Sequence, residues 1–313
     1  MSGPSDGPPV AVIDIGSGAV KLLVTDRAGL VDGVATTQLS VKTKLFTDGA
    51  AMLPAAGMDA TAAAFDRFAE VLAATEPASV AVVATAVART VPDIDSLHAL
   101  TEEKLGVPLQ VLSGSREAEL AFAGATLGRD IDGPVVVVDI GAGSTEFAYR
   151  SGADPIGAMS LPVGGRTLTD AYLLADPPGA DELSSALSVT ELHLDDLRRE
   201  LPDLVRAVSS GTVIGAGATD QIAAVEIGVI DPDESVDGYR LEKAGVEEVF
   251  RVLATEPAVD RACNPGLAPE HVDDIVGALC VLVEFMRRFG VEEVVVSERG
   301  LRHGLAAELM AKR

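Results

Sequence analysis

Residues 10–24 read VAVIDIGSGAVKLLV, and residues 135–149 read VVVVDIGAGSTEFAY. Aligned without gaps, the two stretches share Val10/Val135, Val12/Val137, Asp14/Asp139, Ile15/Ile140, Gly16/Gly141 and Gly18/Gly143. In each, an apolar, β-branched run precedes the Asp and a second strand-like run follows the second Gly. This pattern predicts two buried strands joined by a tight glycine turn. Glycines in such a turn are expected to permit positive φ and to let a ligand approach the backbone. A repeat this far apart predicts two related domains, each opening with the same unit. We place them at residues 1–130 and 131–313, with the boundary in Arg129-Asp130-Ile131-Asp132-Gly133-Pro134.

The remainder of the chain fits α/β layers. Helical apolar spacing recurs over residues 60–74, 96–105, 117–127, 167–174, 182–200, 217–225, 272–289 and 301–311. Strand-like runs occupy residues 79–85, 107–112, 212–214 and 291–296. Strands and helices mixed in this order predict α/β domains rather than separate all-α and all-β parts.

The length of 313 residues exceeds one ordinary core. A formal net charge of −24 argues against general binding to nucleic acid or to an anionic membrane surface. The longest apolar runs are strand-length, so no membrane span is expected. Residues 1–9 carry no basic segment followed by an apolar one, so no secretory leader is expected. The two cysteines, Cys263 and Cys280, read as reduced and structural, in keeping with a cytoplasmic location.

A glycine turn offers backbone N–H groups to an anion, and an Asp ending the preceding strand can hold a cation or orient water. Two such turns facing each other over an interdomain cleft would clamp a phosphate chain. The plain alternative for one copy is a hairpin with a helpful turn Asp; two copies weaken it. A third glycine element, Val213-Ile214-Gly215-Ala216-Gly217-Ala218-Thr219, follows a strand and opens a helix. It reads equally as a phosphate or nucleoside site at a helix N-terminus and as an ordinary strand–helix turn. A dinucleotide fingerprint is excluded because a strand, not a helix, follows the hairpin glycines, and no Gly-Lys-Ser/Thr exists to form a P-loop. From spacing alone, Glu117 reads as a helix-start carboxylate favoured by the dipole. Glu146 reads equally as a solvated strand residue, and Arg89 as a surface charge.

Further motifs follow in order: Ala84-Thr85-Ala86 with Arg89, Ser113-Gly114 with Glu117-Ala118, Asp139-Ile-Gly-Ala-Gly-Ser-Thr-Glu146, Ser160-Leu-Pro-Val-Gly164, and Ser297-Glu-Arg-Gly-Leu301-Arg302. In this set the chain resembles the exopolyphosphatase / guanosine pentaphosphate phosphatase family of the actin-like ATPase superfamily. The resemblance spans the chain from the first strand to the last helix. It implies two actin-like, ribonuclease H-like domains and a phosphoanhydride hydrolase dependent on Mg²⁺, with Mn²⁺ as a substitute. The implied partner is inorganic polyphosphate or a guanosine polyphosphate, and the implied assembly is a homodimer. The resemblance makes Glu117 the carboxylate that positions the attacking water. Asp139 and Glu146 become the acidic residues around the metal. Asp14, Gly16, Ser17 and Gly18 match the first phosphate loop, and Gly141, Gly143, Ser144 and Thr145 the second. Arg89 matches a phosphate-contacting arginine, and Gly215 and Gly217 are added as phosphate-binding candidates.

The chain departs from the family pattern in places. Gly18-Ala19 stands where Asn-Ser is usual, Lys44-Leu45-Phe46-Thr47 where Arg-Leu-Gly-Glu is usual, and His303 where Glu is common; the arginine after Gly164 falls one place early, at Arg166. Four activities therefore remain in view: release of orthophosphate from polyphosphate, cleavage of the 5′ γ-phosphate of guanosine pentaphosphate, non-catalytic binding of guanosine polyphosphates, and an ATP-dependent sugar or acetate kinase.

Overall fold

The computed structural model describes residues 7–32, 37–45, 53–91, 93–229, 231 and 234–312. The first six residues of the N-terminal stretch considered above, and Phe46-Thr47, lie outside them. The chain divides into two compact units, Met1–Gly128 with Leu301–Arg313, and Arg129–Gly300.

The first unit runs β1 (Val10–Ile15), β2 (Ala19–Thr25), α1 (Arg27–Asp32), β3 (Thr37–Lys42), α2 (Ala55–Thr75), β4 (Ser79–Ala84), α3 (Ala86–Thr90), α4 (Asp95–Leu105), β5 (Leu109–Val111) and α5 (Gly114–Ala125). Its sheet has the order β3-β2-β1-β4-β5. β1, β2 and β3 pair antiparallel, while β4 and β5 lie parallel to β1 and β4. The apolar run that predicted β1 is continuous because both faces of this central strand are covered. Successive side chains point to opposite faces. Accordingly Ala11, Ile13 and Ile15 join one core with Phe65 and Phe68 of α2. Val10 and Val12 join another with Leu120 of α5.

The second unit repeats the plan: β6 (Val135–Ile140), β7 (Thr145–Arg150), β8 (Gly157–Leu161), α6 (Gly165–Tyr172), α7 (Ala180–Glu200), α8 (Pro202–Ser210), β9 (Thr212–Gly217), α9 (Thr219–Ile227), β10 (Arg240–Glu242), α10 (Lys243–Leu253), α11 (Ala258–Arg261), α12 (Ile275–Phe289) and β11 (Glu293–Val296). Its sheet order is β10-β11-β9-β6-β7-β8, so β8-β7-β6-β9-β11 matches the first unit strand for strand, and β10 adds an antiparallel edge. The two units thus share the sheet plan that the repeat predicted, and that plan is the actin-like, ribonuclease H-like one that the resemblance implied. α12 is buried along almost its whole length against this sheet's core.

One boundary differs from the sequence expectation. The single cut between residues 130 and 131 falls close to the observed one, but the chain crosses back. Its last helix, α13 (Leu301–Ala311), belongs with the first unit and packs on α5. Gly304 permits the approach, since a Cβ there would lie 2.1 Å from the Leu120 carbonyl oxygen. Leu301 and Leu305 complete the core around Val10 and Leu120.

The cysteines also divide. Cys280 is buried in α12, and burial pushes its thiol up to about 12. Cys263 is exposed, which removes the structural role expected for it. A thiol reagent at pH 8 is expected to titrate one cysteine in the folded protein and the second only in denaturant. Two rapid equivalents without denaturant would contradict the packing of α12. Among the described residues, no helix is long and apolar enough to cross a membrane.

Candidate active site

In the first unit, β1 and β2 meet with Asp14 opposite Lys21 and Ile15 opposite Val20. The turn between them is closed by the Gly16 N–H donating to the Ala19 carbonyl at 3.0 Å. The second unit repeats that bond, Gly141 N–H to Ser144 O at 2.9 Å, with Asp139 opposite Glu146 and Ile140 opposite Thr145. The expected positive φ is absent from Gly16, Gly18, Gly141 and Gly143, which do not appear among the left-handed glycines. What restricts side chains in these turns is crowding. A Cβ on Gly16 would lie 3.2 Å from the Ala19 carbonyl oxygen, and one on Gly141 would lie 3.0 Å from that of Ser144.

β4 runs beside β1 and ends at Ala84, and the Thr85 N–H then reaches the Ile15 carbonyl. α3 follows and carries Arg89. α5 begins at an N-cap in which the Ser113 hydroxyl accepts from the Arg116 N–H at 3.2 Å. Its first turn places Glu117 inward, 8% exposed. There Arg89 donates to the Glu117 carboxylate at 2.6 Å and to the Leu112 carbonyl at 3.1 Å. Arg89 is thus the partner that fixes Glu117. Arg89 does lie at the surface, as the surface-charge reading has it, but it also forms a charge-assisted pair with the buried Glu117, whose role is therefore more than that of a helix-start carboxylate.

Asp14 is half-buried, and its Oδ1 has no hydrogen-bond partner in the protein. Burial raises its carboxyl above the ordinary 3.8, opposed by the charges of Arg302 and Lys21. A raised carboxyl favours the folded state only while protonated. That contribution is fully present below the unfolded value and lost as pH rises through the folded one. Asp14→Asn is therefore expected to unfold at a higher temperature than the wild type at pH 8, without ligand. The difference should shrink as pH falls towards 4. A variant less stable than the wild type at pH 8 would contradict this.

In the second unit, Glu146 is buried, so the solvated-strand reading fails. Its Oε1 accepts from both the Ser144 and Ser160 hydroxyls, each at 2.7 Å. Thr145 points elsewhere, donating to the Val163 carbonyl at 2.6 Å. The segment after β8 then closes on the turn. Gly165 N–H donates to Gly141 O, and Arg166 N–H to Ala142 O at 2.8 Å. A Cβ on Gly164 would lie 2.6 Å from the Gly141 carbonyl oxygen. The third glycine element proves continuous with this site. β9 lies parallel to β6, pairing Gly217 with Ile140. Gly217 is left-handed, φ +65, and a Cβ on it would meet Asp139 Oδ1 at 2.5 Å. One on Gly300 would lie 3.1 Å from Asp139 Oδ2. The Gly215 carbonyl accepts from the Ser297 N–H at 2.7 Å, which ties β9 to the segment after β11. Asp139 is thereby seated between two glycine backbones.

Sequence reasoning assigned no role to Ser160, Gly164 or Gly300, although each stood inside a quoted motif. Ser160 reaches Glu146 through the pairing of β7 with β8, Gly164 closes on the turn at Gly141, and Gly300 reaches Asp139 from the segment after β11. Among the described residues, no group of three His, Cys, Asp or Glu side chains forms a metal cage. The Asp139/Glu146 pair supplies hard carboxylate oxygens of the kind Mg²⁺ takes when phosphates and water fill its other positions.

Residues 10–313 match the model of the Ppx/GppA phosphatase family. The chain belongs to that family. Exopolyphosphatase 2 of Mycobacterium tuberculosis is 31% identical over 319 residues, covering 96% of this chain and 98% of that protein. Exopolyphosphatase 1 of the same species is 27% identical over 314 residues, covering 95% and 86%. The crystal structure of an exopolyphosphatase-like protein shares the fold at a TM-score of 0.88 and 24% identity, covering 97% of this chain and 99% of its own. The Aquifex aeolicus Ppx/GppA family member shares it at 0.74 and 22%, covering 98% and 99%.

Proposed function

We propose that the protein is an exopolyphosphatase, releasing orthophosphate from the end of inorganic polyphosphate. The observation that carries this reading is the buried Glu117 carboxylate, fixed by Arg89 in the unit that also holds the first glycine turn. A carboxylate held this firmly can orient a water molecule and take its proton. The water oxygen bonds to the terminal phosphorus and the bridging P–O bond breaks. The electron pair leaves on the shortened chain. Backbone amides of the first glycine turn, in the same unit as Glu117, stabilise the charge on the phosphate oxygens. Asp139 and Glu146 would hold Mg²⁺, which when bound neutralises phosphate charge. That local neutralisation is needed in a chain with net charge −24. The names of the curated relatives support polyphosphate over guanosine pentaphosphate as substrate, and we extend the same reading to a cytoplasmic enzyme.

A competition assay tests the choice of substrate. Orthophosphate release from long-chain polyphosphate, with Mg²⁺ present, is expected to exceed release from guanosine pentaphosphate at equal concentration of ends. Faster release from the nucleotide would move the assignment to the pentaphosphate phosphatase activity. Tight nucleotide binding without turnover of either substrate would make the protein a sensor.

A further inference from the structure

Among the described residues, four buried side-chain polar atoms have no hydrogen-bond partner in the protein: Asp14 Oδ1, Ser17 Oγ, Thr43 Oγ1 and Arg261 Nε. Three of the four gather at one turn. Asp14 lies near the end of β1 and Ser17 in the turn itself. Thr43 follows β3, and its N–H and that of Lys44 both donate to the Gly18 carbonyl, at 3.0 and 3.1 Å. Buried hydroxyls are ordinarily paired, and a cluster of unpaired ones at a single turn calls for a partner from outside the chain.

The backbone is shaped to hold Thr43 in this place. Lys44 is left-handed, φ 50, a conformation uncommon for a residue other than glycine and concentrated at binding sites. α2 admits the segment at Gly57, where a Cβ would lie 3.0 Å from the Thr43 carbonyl oxygen and 3.2 Å from that of Lys44. Thr43 is 3% exposed and Ser17 is 4% exposed. The charges of Lys21 and Arg302 act on the same turn through Asp14. The Ser17 and Thr43 hydroxyls can donate to an oxyanion, whose oxygens accept, while the charges of Lys21 and Arg302 offset that of the Asp14 carboxyl.

We propose that Thr43 is a substrate-binding residue whose hydroxyl, with that of Ser17, donates to oxygens of a phosphate group bound at the first turn. The proposal rests on the phosphohydrolase reading for the identity of the oxyanion. It also accounts for Gly18-Ala19. Side-chain donors missing from the turn itself are supplied by the segment that the Gly18 carbonyl holds in place. Sequence reasoning passed over Thr43 because nothing local marks a threonine whose hydroxyl is buried without a partner.

The test uses the full chain and three variants. Thr43→Val removes the hydroxyl at nearly constant shape, Thr43→Ser keeps it, and Ser17→Ala removes the other donor. Calorimetry with tripolyphosphate is expected to show affinity about tenfold weaker for Thr43→Val and Ser17→Ala, and wild-type affinity for Thr43→Ser. KM for polyphosphate should rise by about the same factor in the two weakened variants, with kcat little changed. The urea midpoint of ligand-free Thr43→Val should equal or exceed that of the wild type, because a buried unpaired hydroxyl has gone. Undiminished affinity and KM in Thr43→Val, or a lowered urea midpoint with binding unchanged, would overturn the proposal. Should Thr43→Val not fold, Ser17→Ala against Thr43→Ser decides it in the same way. A wild type that binds tripolyphosphate but releases no orthophosphate would defeat the hydrolase reading and leave the subsite standing on the binding data. A wild type that turns over normally while Thr43→Val matches it would defeat the subsite alone. A wild type that does not bind tripolyphosphate overturns both.

Discussion

Glu117→Gln is expected to lower orthophosphate release from polyphosphate by about 10²- to 10⁴-fold, the range over which a positioned general base acts. Glutamine keeps the side chain's size and one oxygen for the Arg89 guanidinium, so the start of α5 should remain folded. The loss is expected in kcat, with KM nearly constant, because the carboxylate acts on water rather than on the phosphate chain. Steady-state kinetics beside a far-ultraviolet dichroism spectrum separates the effect from unfolding. Because Arg89 donates to Glu117 at 2.6 Å, removing the arginine should also mislocate the base. Arg89→Met combined with Glu117→Gln should therefore cost little more than either change alone. Additive losses would show that Arg89 acts on the phosphate independently.

Gly217→Ala is expected to damage stability and activity together. The position is left-handed, φ +65, and the new methyl would lie 2.3 Å from the Ile140 carbonyl oxygen and 2.5 Å from Asp139 Oδ1. Neither neighbour can withdraw freely. The Ile140 carbonyl accepts from the Ala218 N–H at 2.9 Å, and Asp139 faces the Gly300 backbone on its other oxygen. Backbone strain and overpacking together should cost about 2–4 kcal/mol in urea unfolding. Displacement of Asp139 should cost a further factor of about 10² in turnover. Gly152→Ala provides the comparison. It shares the left-handed backbone, φ +60, but has nothing within 4 Å. It should cost about 1 kcal/mol and leave turnover unchanged. Equal effects of the two substitutions would mean that backbone strain, and not the seat of Asp139, sets the requirement at Gly217.

What the sequence revealed follows from where its information is local. β1 and β6 are central strands buried on both faces, so their apolar runs stood out. The Asp-Ile-Gly-x-Gly repeat then located both turns. The third strands of the two meanders, Thr37–Lys42 and Gly157–Leu161, escaped notice. TQLSVK and GAMSL are short, with half-exposed faces, and lack the β-branched run that marks a covered strand. α10 was missed although Val246, Val249 and Leu253 are buried at helical spacing, so that signal was present and unread. The return of α13 to the first unit could not be read from any window, because it depends on Leu301 and Leu305 meeting Leu120.

The same divide runs through the site. Glu146 sat in a legible motif, but its two hydroxyl partners come from the turn and from β8. The role of Gly217 was drawn as a ligand approach, whereas the observed close approach is to Asp139 itself. Arg89 and Glu117 were singled out separately. Their pairing requires β4, β5 and the first turn of α5 to be in place, which no pattern of residue types discloses.

The central claim is that Glu117 delivers water to a terminal phosphorus. Hydrolysis of long-chain polyphosphate in H₂¹⁸O, with the orthophosphate analysed by mass spectrometry, tests it most directly. The wild type is expected to place one ¹⁸O in each orthophosphate released, and Glu117→Gln to yield almost no labelled product in the same time. Unlabelled orthophosphate from the wild type, or labelled product formed at the wild-type rate by Glu117→Gln, would contradict the account.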